Sequence, residues 1–272
     1  MSRYPIGFGS MLGGLWQNRN LLQTSIKREV LGRYKGSVFG VLWSFFNPLL
    51  MLAIYTFVFS EIFNARWGTN TESKTEFALM LFAGLIVFNI FSDCMNRAPS
   101  QVLSNPNYVK RVIYPLEILP VVLLGGALFH GFVSILVWIL AYALLVGTPS
   151  ATVVYAPVVI LPFAVLVLGL SWFLAAIGVY LRDVTQFISL ITTAVMFLSP
   201  IFYPASALPG PYRLILSVNP LTPIIEQLRI VLYFGNDPDF FLLLKYSVFS
   251  IMVAWLGFVW FQKTRKGFAD VL

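Results

Sequence analysis

One cysteine, one histidine and eleven carboxylates in 272 residues leave this chain little of what catalytic and metal sites are built from. Cys94 stands alone, so no disulfide forms within the chain. His130 falls in the middle of an apolar stretch, where a hydrogen bond to a neighbour is its ordinary role. No Gly-Lys dipeptide occurs, which excludes a P-loop, so the chain carries no nucleotide-driven motor of that kind. Neither paired carboxylates nor a Ser/His/Asp arrangement is evident. Charged residues make up only 11% of the chain, and no soluble basic face is available for nucleic acid.

Apolar residues take the space that charges leave. They account for 58% of the sequence, and the mean hydropathy of +0.83 belongs to the membrane class. Six long apolar stretches lie at about 38–59, 77–95, 116–146, 153–180, 184–202 and 240–261. Thirteen of the eighteen Lys and Arg residues fall in every second gap: Arg3, Arg19, Lys27, Arg28, Arg33 and Lys35; Arg97, Lys110 and Arg111; Arg182; and Lys263, Arg265 and Lys266. Cationic flanks resist translocation, so the alternation predicts an all-α membrane protein with six transmembrane helices and both termini in the cytoplasm. The N-terminus carries no charged-then-apolar leader with a cleavage site, and the first span is expected to serve as the targeting signal.

Two segments depart from plain spans. Leu15, Leu22, Ile26, Val30 and Tyr34 recur at nearly helical spacing among basic residues, which predicts an amphipathic helix in the cytoplasmic interface within an N-terminal arm of residues 1–36. The remainder, 37–272, forms the transmembrane domain. Between the fifth and sixth stretches lie Pro200, Pro204, Pro209, Pro211, Pro220 and Pro223, together with the apolar Leu214, Ile215, Leu216 and Val218. Proline at that density excludes a normal span. Broken helices re-entering the outer leaflet at about 203–236 fit both features, and an outer loop on the surface is the plainer alternative. The gap at about 96–113 has turn residues at Asn105-Pro106 and a basic end; a cytoplasmic docking helix and a solvated linker are equally compatible with it.

Aromatic residues are abundant, with 25 Phe, 12 Tyr and 7 Trp. Phe39, Trp43 and Phe46 follow one face of the first span, and Tyr55 and Phe59 form a second one-turn pair. Phe88, Phe91, Phe197 and Tyr203 extend the set. Aromatic faces stack on the C–H-rich faces of sugar rings; heavy packing with an interfacial belt is the bland alternative for each residue.

At several of these places the chain resembles the membrane subunit of ABC-2-type exporters that move lipid-linked polysaccharides. Leu31–Leu49 (Leu-Gly-Arg-Tyr-Lys-Gly-Ser-Val-Phe-Gly-Val-Leu-Trp-Ser-Phe-Phe-Asn-Pro-Leu) is similar to that family's approach to its first span. Tyr108–Pro120 resembles its coupling helix and the start of span three. Tyr180–Val184 (Tyr-Leu-Arg-Asp-Val), Asn219–Leu221 and the tail Phe268–Leu272 are similar to later family segments, in the expected order.

The resemblance implies a bacterial inner-membrane homodimer bound to two copies of a separate ATPase, which holds the ATP and magnesium while this chain binds no cofactor. It implies a channel lined by first and fifth spans, with the aromatics guiding the glycan. Arg28, Arg33 and Lys35 are then expected to meet the lipid diphosphate, and Asn105, Tyr108, Lys110 and Arg111 to couple to the ATPase. The implied cargo is undecaprenyl-diphosphate-linked O-antigen, with teichoic acid or capsular polysaccharide as alternatives. An ion-coupled transporter acting alone needs Asp93 or His130 as its site, and a membrane-embedded transferase would have only Arg182-Asp183 to build on.

Overall fold

The computed structural model describes residues 6–58, 74–110, 114–205 and 213–271, and among these the chain is helical with no strand. Two helices precede the spans, α1 (Phe8–Gln17) and α2 (Arg19–Gly32). Then come α3 (Trp43–Thr56), α4 (Lys74–Gln101), the five-residue α5 (Pro106–Lys110), α6 (Leu119–Leu145), α7 (Ala156–Tyr180) and α8 (Val184–Leu198). The short α9 (Arg213–Val218) and α10 (Leu221–Arg229) lead to α11 (Phe240–Thr264) and a terminal turn, α12 (Phe268–Val271).

Among the described residues, four helical segments are long and apolar enough to cross a membrane: Thr75–Gln101, Leu116–Leu145, Ala151–Tyr180 and Phe240–Val271. The other two expected spans are shorter apolar helices, Gly40–Thr56 and Val184–Leu198. Local chemistry explains their ends. Gly36 and Gly40 take positive φ (87° and 50°), a turn that holds the chain out of helix until α3 begins. Pro200 lacks an N–H and forces the residue before it out of the helical region; Ser199 is extended at ψ 150°, so α8 stops at Leu198 rather than 202. In the opposite sense, α4 runs on through Pro99 to Gln101, so the first part of the expected 96–113 docking helix is the end of a span.

Helix α4 is the axis of the fold and packs against α3, α6, α7, α8 and α10. Close approach elsewhere depends on glycine. A Cβ on Gly257 would lie 2.1 Å from the Gly169 carbonyl oxygen, so α7 and α11 touch backbone to backbone. A Cβ on Gly178 would lie 2.0 Å from the Pro99 oxygen, where α7 crosses α4. Gly125 and Gly126 of α6 seat α2: added Cβ atoms would meet Ile26 at 2.6 Å and Glu29 at 3.0 Å.

Beyond residue 212 the proline-rich segment is built as short helices. Asn219 organises its centre, its Nδ2 donating to Ser199 Oγ (2.8 Å) and its Oδ1 accepting from the Leu221 N–H (2.9 Å) at the start of α10. Leu221, Ile224, Ile225 and Leu228 are fully buried. Arg229, 3% exposed, donates to the carbonyls of Met80 and Ile201, both at 3.0 Å, and so ties α10 to α4 and to the end of α8. Gly235, at φ 67°, ends the wide turn Ile230–Phe234 that follows.

Candidate functional site

Three helices turn polar faces toward one another at a cavity of about 550 Å³. From α4 come Asn89, Ser92, Asp93, Asn96 and Arg97, spaced as one helical face. Asn89 is the one exposed position between Thr75 and Ser100 of that helix. From α3 come Ser44, Asn47, Pro48, Met51 and Tyr55, and from α6 Ala127, His130, Gly131 and Ser134, each set again at helical spacing. Arg33 and Tyr34, just past the end of α2, complete one end of the wall. The Tyr34 hydroxyl lies 3.3 Å from His130 Nδ1, and burial raises the pKa of that phenol.

At this end four charges interlock. Arg33 Nη2 donates to Asp93 Oδ2 at 2.5 Å, and Arg33 Nε lies 3.6 Å from Glu29 Oε1. Arg97 Nη2 donates to the same Glu29 oxygen, while Arg97 Nη1 sits 3.6 Å from Asp93 Oδ1. Two cations and two carboxylates thus fasten the amphipathic α2 to α4. Of the three expected diphosphate contacts, Arg33 is therefore engaged with carboxylates. Arg28 donates to the Tyr108 hydroxyl at 2.6 Å, a bond that raises its pKa, and Lys35 is exposed.

Of the residues expected to couple to an ATPase, Tyr108 meets α2 through the bond from Arg28. Tyr108 stacks on Tyr114 at 4.2 Å and 8°, so Arg28, Tyr108 and Tyr114 link the interface helix to α5 and the start of the third span. Burial raises the Tyr114 pKa. Asn105 Nδ2 donates to the Gln101 carbonyl (2.9 Å) and turns the chain after α4. Lys110 ends α5, and Arg111 lies outside the described residues. The C-terminal tail braces this region: Arg265 donates to Glu117 (2.5 Å) and to the Tyr114 carbonyl (3.1 Å), and Phe268 is buried against Phe261 and Tyr180.

The expected aromatic lining divides. Phe39, Trp43 and Phe46 form an exposed cluster, with ring centroids 5.8–6.4 Å apart. Phe197 is exposed and stacks on Phe202, and the Tyr203 hydroxyl donates to its carbonyl. Tyr55 is half-buried in the cavity wall. Phe88 and Phe91 are 7% and 8% exposed and packed in the core, since every face of α4 except the polar stripe is covered; they belong to no exposed lining of the single chain. Phe59 lies outside the described residues.

Sequence reasoning took Asp93 alone as a candidate ion-coupling site and Arg97 as a flanking charge, and passed over the stripe they form with Asn89, Ser92 and Asn96, although its spacing at i, i+3, i+4, i+7 and i+8 was there to read. Among the described residues no group of three His, Cys, Asp or Glu could hold a metal ion.

Comparison with known proteins adds a second line of argument. The family model described as ABC-2 type transporter matches residues 20–233. The chain is 29% identical over 259 residues to the O-antigen export system permease protein RfbA of Myxococcus xanthus, covering 94% of this chain and 96% of that protein. It is 26% identical over 263 residues to a Klebsiella pneumoniae permease of the same name, with 93% and 95% covered. To the polysialic acid transport protein KpsM of Escherichia coli it is 23% identical over 246 residues, with 88% and 91% covered.

Proposed function

This chain belongs to the ABC-2 type transporter family, a multi-pass protein of the bacterial inner membrane, and from that premise we propose that it is the permease half of an ATP-driven exporter of lipid-linked polysaccharide. Its cargo in this reading is O-antigen on an undecaprenyl diphosphate carrier. The observation that carries the proposal is similarity to O-antigen export permeases along nearly the whole chain.

Several structural features support it. Helices α3 and α8 serve as the first and fifth of six crossings and line a channel between two copies of the chain. At ~1.5 Å per residue an uninterrupted helix needs about 20 residues to cross, and Val184–Leu198, which stops before Pro200, falls below that length. Such a helix rests on a partner more readily than on lipid. The exposed Phe39–Trp43–Phe46 cluster offers sugar rings weak and repeatable contacts. ATP hydrolysis belongs to two copies of a partner ATPase, which dock at α5 and act through Tyr108 and Arg28 on the interface helix. The lipid diphosphate meets Arg28 and Lys35, while Arg33 stays engaged with Asp93 and Glu29.

A second reading, capsular polysaccharide cargo, is favoured by the similarity to the polysialic acid transport protein, with teichoic acid as a further alternative. An ion-coupled mechanism has less to stand on, because Asp93 is held by two arginines. Identification of the lipid-linked glycan that accumulates at the cytoplasmic face of cells lacking this protein tests the proposal. An O-antigen precursor supports it; a capsular precursor selects the second reading and a teichoic-acid precursor the further alternative; no accumulation contradicts them all.

A further inference from the structure

Helix α4 buries nearly all of its surface in protein, yet it carries two amides, a serine, an aspartate and an arginine along a single face. Polar groups inside a membrane protein are costly unless paired or put to use. The aspartate and one side of the arginine are used in the clamp with α2. The amides are not. Asn96 Nδ2 donates to Ser92 Oγ at 3.1 Å, which leaves Asn96 Oδ1 buried without a hydrogen-bond partner among the described residues. Arg97 Nη1, beyond hydrogen-bond range of Asp93, is in the same condition, and so is His130 Nε2 on the facing helix. All three residues line the one cavity.

We propose that the cavity between α3, α4 and α6 is a subsite for a single uncharged, hydroxylated sugar ring. The proposal rests on the polysaccharide-export reading and gives that cargo a place inside one subunit, apart from the aromatic face of α3. Three properties select this ligand class. The atoms without a hydrogen bond include both an acceptor (Asn96 Oδ1) and a donor (Arg97 Nη1, ion-paired with Asp93 at 3.6 Å), and a sugar hydroxyl can bond either. Glu29 and Asp93 cancel Arg33 and Arg97, so no net charge remains to hold a phosphate, which would have to strip a carboxylate from its arginine. The volume, about 550 Å³, lies within the range of small-molecule sites, and Leu85, Ile86 and Met51 supply apolar wall for the C–H face of a ring. In this arrangement the diphosphate stays outside on Arg28 and Lys35 while an adjoining sugar enters.

The test uses the full chain in lipid nanodiscs and saturation-transfer NMR with methyl glycosides of glucose, galactose, mannose, rhamnose and N-acetylglucosamine. At least one glycoside should receive saturation. Its signal should fall about tenfold in Asn96→Leu and in Asn47→Leu, which place an apolar group on two different walls, and inorganic pyrophosphate should leave it unchanged. Thermal melts of both variants identify any that fails to fold, and the folded one then decides. The subsite is overturned if no glycoside binds, if binding survives in the folded variants, or if pyrophosphate displaces the glycoside. Glycan export by cells carrying the unaltered chain reports separately on the transport reading: export without glycoside binding removes the subsite alone, and absence of export removes the transport reading itself.

Discussion

Arg33 and Asp93, sixty residues apart, meet at 2.5 Å, and the contact fixes the end of the amphipathic helix to the central span. Glu29 and Arg97 close the same ring of charge. Each pair is partly exposed, so each contributes far less than a fully desolvated pair would. Replacing Asp93 by Ala should lower stability by about 1–2 kcal/mol. In a double-mutant cycle, Arg33→Ala and Asp93→Ala should couple by about 1 kcal/mol in thermal unfolding of the solubilised protein; additive losses would mean that the two side chains do not interact.

Glycine contacts make a sharper stability prediction. Gly178→Ala and Gly257→Ala would drive a methyl group to within 2.0–2.1 Å of a backbone oxygen on the neighbouring helix. Backbone cannot move aside as a flexible side chain does, and each substitution should cost about 3 kcal/mol or more, with loss of the folded chromatographic peak. Gly13→Ala on α1, with nothing within 4 Å of its added methyl, should leave that peak intact.

How much of this was legible in the sequence depends on range. The third, fourth and sixth spans could be placed closely because continuous hydropathy reports them, and the broken helices after α8 announced themselves through proline. The end of α4 was placed too early. Asn96 and Arg97 look like the start of a loop when hydropathy is averaged, whereas they are the last turns of a helix whose polar face looks into a cavity. Phe88 and Phe91 were grouped with Trp43 because aromatic content says nothing about which face is covered. Asp93 for Arg33, Glu29 for Arg97 and Glu117 for Arg265 lie 60, 68 and 148 residues away and no local pattern encodes them, whereas the pairs Glu29–Arg33 and Asp93–Arg97 are four residues apart on one helical face.

The divided aromatic set gives a third prediction. Trp43→Ala and Phe46→Ala remove exposed rings and should change stability by less than about 1 kcal/mol while slowing glycan export several-fold at equal membrane abundance. Phe88→Ala should do the reverse in order of severity, costing about 3–5 kcal/mol of stability through the cavity it leaves. Export rates normalised to folded permease separate the two cases; equal rates for wild type and both exposed-face variants would remove the aromatic face from the cargo path.

Coupling to the ATPase supplies a fourth. Tyr108→Phe keeps the ring stacked on Tyr114 but removes the hydroxyl that accepts from Arg28. In the assembled complex, ATP hydrolysis should continue near its normal rate while glycan exported per ATP falls several-fold. Unchanged export per ATP would show that force reaches α2 by another route.

The central claim is that this chain moves polysaccharide only with energy supplied by another polypeptide. Co-reconstitution of the chain with its ATPase in vesicles carrying lipid-linked glycan measures this directly, with glycan scored by an impermeant lectin on the far side. The account predicts transfer that requires ATP, magnesium and the ATPase together, and none when any is omitted. Transfer by this chain alone, driven by a proton gradient, would contradict it.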